Sequence, residues 1–137
     1  MKFLRKLFGR DQEDETEDVP IQLDQELRRR QLLTLEKALD ALANEMRGCE
    51  SLDNLGWRVR VNEYSRLAGE AMLLRRGEIT REGVLDLVFE IRPLFTGAPP
   101  ARKEHLVPLQ AAMMAAAEDL RELAPSERGR PAPPASV

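Results

Sequence analysis

One cysteine and one histidine in the whole chain rule out an intramolecular disulfide, a cysteine-based metal cluster and most histidine metal sites. No metal and no cofactor is therefore expected, since no phosphate-binding or nucleotide-binding motif stands out either. Aromatic residues make up only 4% of the chain, which starves a β-sandwich or barrel of the side chains its strands favour. No apolar run reaches the roughly 18 residues that would suggest a bilayer-spanning helix. The basic N-terminus has neither the apolar stretch nor the small-residue cleavage site of a secretory signal, so its first residues are expected to remain. A chain so poor in thiols fits the reducing cytoplasm.

Leu, Ala, Arg and Glu are prominent, and charged residues reach 33%, which suits packed helices. Seventeen Arg against four Lys, with abundant Ala and Pro, resembles the usage of a GC-rich bacterial genome. At 137 residues one domain is expected, burying roughly two-thirds of its unfolded surface. Two seams dominate. Leu32, Leu35, Leu39, Leu42, Met46 and Cys49 recur at three- and four-residue steps, and Leu106, Leu109, Met113, Ala116, Leu120 and Leu123 repeat the phase. Arg28, Arg29, Arg30 and Glu36 fall mostly off the first seam and read as a solvated face.

The expected fold is all-α, a three- or four-helix antiparallel bundle over residues 21–124. An amphipathic helix (1–10) and a disordered acidic linker (11–20) precede it, and a disordered Pro/Ala-rich tail (125–137) follows. Helix one is expected from near Gln22 to Gly48 with Asp24 as N-cap, and helix two from Asp53 or Asn54 to Arg76, closed by Gly77. Thr80 caps a third helix that Pro93 ends. A fourth covers about 101–123, with Pro108 as a kink or as its first turn. Trp57, Val59 and Val61 alternate with Arg58 and Arg60, which is also strand grammar, so both readings stand at that stretch. The expected core is Leu35, Leu39, Leu42, Met46, Trp57, Tyr64, Leu67, Val88, Ile91, Leu109, Met113 and Leu120.

The net charge of −3 hides a division. Residues 1–10 carry +4, residues 11–18 carry −6, and the remainder is left at −1. A nearly neutral body argues against a nucleic-acid partner. On a helical wheel Phe3, Leu4, Leu7 and Phe8 occupy one arc of the decapeptide MKFLRKLFGR, while Lys2, Arg5, Lys6 and Arg10 occupy the other. The string KFLRKLFG resembles the membrane-targeting amphipathic helices of bacterial division proteins of the MinD and FtsA type, which carry it at their C-termini. The resemblance covers eight residues and implies a mode of attachment to an anionic membrane surface. These eight side chains are the candidate membrane- or partner-binding residues, because amphipathicity does not name the apolar surface it meets.

Cys49 with His105 is the only nucleophile-and-base pair, and a bundle brings their helix ends together. A structural thiol and a helix-end histidine is the preferred reading, so no catalytic residue is assigned. Glu63, Glu70, Glu82 and Glu90 lack the Glu-x-x-His pattern of di-iron bundles and read as surface charges. Trp57 and Tyr64 read as core rather than as base-stacking rings, and Arg58, Arg66 and Arg76 make only a sparse basic stripe. Met113 and Met114 among alanines suggest an adaptable contact, with a homodimer seam as one use. These readings point to a non-enzymatic helical adaptor or scaffold. It attaches peripherally to the inner face of the membrane and binds a protein partner through its bundle. The alternative is a soluble subunit or regulator whose N-terminal helix enters a partner's groove.

Overall fold

Asp24, Asn54 and Thr80 each accept a hydrogen bond from the backbone N–H three residues on, and each begins a helix. The partners are Leu27 at 3.1 Å, Trp57 at 3.2 Å and Gly83 at 3.0 Å. An extended cap residue with a short polar side chain satisfies one of the N–H groups that a helix start leaves open. The computed structural model describes residues 21–50 and 53–128. Its helices are α1 (Gln25–Cys49), α2 (Leu55–Arg76), α3 (Arg81–Phe89) and α4 (Val107–Arg121), with a 3-10 turn at Glu104–Leu106 leading into α4.

Residues 23–122 form one unit and hold the bundle. Within it α1 packs on α2 and α4, α3 packs on α2 and α4, and the diagonal pairs do not pack together. The ring is antiparallel throughout. Arg29 at the start of α1 reaches the carbonyls of Arg75 and Gly77 at the end of α2, while Trp57 at the start of α2 donates to the Met46 carbonyl near the end of α1. Cys49 meets His105 where α1 ends and α4 begins. Of the second unit, residues 21–22 and 123–128 are described. Here Pro125–Glu127 makes a single 3-10 turn in which Glu127 accepts from the Ala124 N–H at 2.9 Å, so the expected tail starts with an ordered turn.

The strand reading at Trp57–Val61 is overturned: the stretch is helical. Val61 is fully buried and Trp57 packs against the core, whereas Val59 is 60% exposed. A four-residue repeat explains that pattern and a two-residue one does not. The fourth helix starts later than expected. Arg102 takes φ 73°, in the left-handed region that favours glycine, which breaks any helix running through it. Pro108 then lies in the first turn of α4, where its missing N–H costs nothing. Among the described residues there is no strand, and no helix long and apolar enough to cross a membrane.

Both seams enter the core, with Leu32, Leu35, Leu39, Leu42 and Met46 from α1 and Leu106, Met113, Ala116 and Leu120 from the other buried completely or nearly so. Met113 is therefore spent inside the bundle and is not surface for a dimer, and Met114 is half-buried against the core. Trp57 and Leu109 are also only partly buried. Ile79 supplies core from the α2–α3 connection. The Gln25 amide accepts from its N–H and donates to its carbonyl, both at 2.9 Å, so one side chain satisfies a buried stretch of backbone.

The largest departure from the sequence reading is Arg28, which is fully buried. Its guanidinium donates to the carbonyls of Leu120 at 3.1 Å and Glu122 at 2.7 Å, with longer reach to Asp119 at 3.4 Å, and to the Gln31 side chain at 2.9 Å. The last carbonyls of a helix lack intrahelical donors and carry the negative end of its dipole, so a cation with several N–H groups fits them well. Arg28 closes α4 much as Arg29 closes α2.

Candidate functional site

Lys2, Phe3, Leu4, Arg5, Lys6, Leu7, Phe8 and Arg10 lie outside the described residues, so the bundle supplies the geometry. Cys49 ends α1 and His105 sits in the turn before α4, which places Sγ 3.3 Å from Nε2. Glu45, one turn back on α1, brings Oε1 to 3.6 Å from the same nitrogen. A relay of the Ser-His-Asp kind needs its carboxylate on the other ring nitrogen, where it fixes the tautomer. Here thiol and carboxylate compete for one atom, on an imidazole half exposed to water. The pair is close, yet among the described residues no carboxylate orients the ring from its other nitrogen.

Most of the other residues considered for chemistry are engaged internally. The Trp57 indole N–H donates to Met46 at 2.7 Å, and the Lys103 ammonium lies 5.1 Å from its ring centroid. Lys103 also pairs with Glu50 at 2.9 Å. That bond, followed by one from the Asn54 amide, holds the Glu50 carboxyl below the ordinary range. The Tyr64 ring is buried. Its hydroxyl donates to the Arg92 carbonyl at 2.7 Å and accepts from Arg60 Nη2 at 2.7 Å, and Arg60 also donates to the Pro93 carbonyl at 3.1 Å. This network ties the segment after α3 to α2. Glu63 pairs with Arg60 and Arg92, each at 3.4 Å. Arg66 is not part of an open basic stripe, because it binds Glu70 at 2.7 Å and Glu90 at 2.8 Å, Glu90 being the stronger influence that raises its pKa. Among the described residues no three His, Cys, Asp or Glu side chains form a group that could hold a metal ion.

A cleft of about 360 Å³ opens between α2 and α3. Leu74, Gly83 and Leu87 line its inner part, Leu73 stands at its edge 65% exposed, and Glu70, Asp86 and Glu90 contribute carboxylates from both walls. Gly83 matters to its shape: a Cβ there would stand 3.0 Å from Leu74 Cδ1, close enough to push that side chain aside. A second cleft of about 270 Å³, between α1 and α4, is lined by Leu27, Arg30, Gln31, Thr34, Ala116 and Asp119 and mixes both charges with polar groups. The α2/α3 cleft joins apolar surface to charge of one sign, which is the chemistry of a recognition surface. No single residue advertises it in the sequence. Leu73, Asp86 and Glu90 look like ordinary surface positions until α2 and α3 are set side by side.

The chain matches no protein-family model, no curated protein and no solved structure.

Proposed function

We propose that the protein is a non-enzymatic bacterial adaptor. Its N-terminal decapeptide attaches it peripherally to the inner face of an anionic membrane, and its bundle binds a protein partner. The observation that carries the reading is the α2/α3 cleft, where leucines stay in contact with water on a bundle whose arginines are largely paired. The segregated arcs of residues 1–10 support the membrane half. Half-burying two Phe and two Leu contributes about 3 to 6 kcal/mol. Each cation near an anionic surface adds about 1 kcal/mol. Ordering eight residues costs on the order of 8 kcal/mol. A single copy therefore binds weakly and reversibly, and several copies held together bind firmly.

The test is co-sedimentation with neutral and anionic vesicles at two salt concentrations, using the protein displayed on an oligomeric carrier. The wild type is expected in the pellet with anionic vesicles, less so at high salt. Leu7→Glu places a charge in the apolar arc and should abolish association, whereas Lys6→Glu should weaken it chiefly on anionic vesicles. Equal recovery of wild type and Leu7→Glu, or recovery of neither, would favour the soluble subunit whose N-terminal helix enters a partner's groove.

The 3.3 Å approach of Cys49 to His105 is the one observation that favours an enzyme. Under the adaptor reading Cys49→Ser and His105→Ala retain vesicle association and change stability by no more than about 0.5 kcal/mol. Loss of association in either variant, with helix content intact by circular dichroism, would overturn that assignment.

A further inference from the structure

The α2/α3 cleft constrains its occupant more tightly than the word adaptor does, and the step taken here rests on the bundle being the partner-binding part. We infer that the cleft docks a cationic amphipathic helix of a partner protein. The inner surface accepts apolar side chains: Leu87 is almost fully buried, Leu74 is half-buried, and the exposed Leu73 forms the lip. Apolar residues at i and i+3 or i+4 of a docking helix present a stripe of matching width.

The rim decides the sign. Glu70 rises from the α2 wall, with Asp86 and Glu90 from the α3 wall. Arg66 bridges Glu70 and Glu90 at one end, so a single guanidinium is shared by two of the three carboxylates. Asp86 is exposed and makes no ion pair among the described residues. A helix lying in the cleft has its flanking side chains over both walls at once, and Lys or Arg there meets carboxylates on either side. The same rim disfavours other occupants. An anionic lipid surface or a nucleic acid is repelled by it. Several arginines of the described body are already committed, Arg28 and Arg29 to carbonyls and Arg60, Arg66 and Arg75 to carboxylates, and a second copy seated in the cleft is an outcome the self-association test reads.

The probe is a synthetic amphipathic helix of Leu and Lys, compared with a Leu/Glu peptide of the same pattern, each titrated into the full-length protein by fluorescence anisotropy. The Leu/Lys peptide is expected to bind and to weaken with salt, and the Leu/Glu peptide not to bind. Asp86→Lys and Leu73→Glu change exposed positions, so both should keep the helix content of the wild type. Each should weaken the Leu/Lys peptide by on the order of tenfold. Asp40→Lys, on the exposed face of α1, makes the same charge change elsewhere and should leave binding within about twofold. Equal loss in Asp40→Lys and Asp86→Lys would mean diffuse charge attraction and would overturn the proposal. So would tighter peptide binding by Leu7→Glu, which would show the chain's own N-terminus competing for the cleft, or self-association of the protein that Leu73→Glu abolishes. Leu/Glu binding that Leu73→Glu removes would overturn the cationic partner while leaving a partner-binding bundle. Vesicle association is read separately and is unaffected by any of these results.

Discussion

Arg28→Ala is expected to lower the free energy of unfolding by about 3 to 5 kcal/mol, the loss typical of removing one member from a buried, fully hydrogen-bonded charged group. The substitution deletes the donors that reach the carbonyls of Leu120 and Glu122 and leaves a space among residues that are themselves buried. Urea denaturation followed by circular dichroism should show a lower midpoint with an unchanged slope. Arg28→Lys retains the charge but has no planar fork to reach several acceptors at once, so it should recover only part of the loss. Arg29→Ala is the control. Its guanidinium makes comparable bonds to Arg75 and Gly77 but stands in water, and the change should cost no more than about 1 kcal/mol. Equal effects at both positions would mean that Arg28 contributes no more than a surface cap.

Raising the pH should destabilise the protein through Tyr64. Burial pushes this phenol above its ordinary value, and the Arg60 charge and hydrogen bond offset that only in part. The folded state then keeps the Tyr64 proton at a pH where the unfolded chain has released it. The stability associated with the neutral phenol is complete below the ordinary tyrosine value of about 10 and is lost as pH rises through the folded value. The chain has one tyrosine, so tyrosinate absorbance reports this group alone and should rise together with the loss of helix. Tyr64→Phe removes the bonds to Arg92 and Arg60, and should cost about 1 to 3 kcal/mol at neutral pH while flattening the tyrosine-linked alkaline transition. Tyr64→Ala should cost about 3 to 5 kcal/mol. Tyrosinate formation at the ordinary value with helix retained would show that the hydroxyl is not held inside.

The starts of α1, α2 and α3 were readable because a cap is a local event. Asp24, Asn54 and Thr80 need only a backbone N–H three residues away, which the same stretch of sequence provides. The seams were readable because a helix repeats its faces. Arg28 shows where periodicity stops being enough. It stands four residues before Leu32 and seven before Leu35, a spacing that continues the first seam, yet its charge grouped it with Arg29 and Arg30 on the solvated face, so neither its alignment nor its burial was read. What makes an arginine acceptable there is the end of α4, about ninety residues away, and nothing near Arg28 in the chain announces it. Met113 carried two readings, core and contact surface, because adaptability suits both equally well, and its burial bears out the core one. The α2/α3 cleft is less legible still, because it depends on how two neighbouring helices lean and on the missing side chain of Gly83.

Arg28 and Arg29 adjoin each other on α1 yet grip two helices that do not pack together, α2 on one side and α4 on the other. The first turns of α1 are therefore the fastener for that end of the ring, and Gln25 adds the α2–α3 connection to the same knot. Fraying there does not stay local. It releases the terminal carbonyls of two helices together, so amide exchange at the ends of α2 and α4 should share one opening free energy. A pull applied at Leu23 enters through this fastener before it reaches the seam leucines from Leu32 onward.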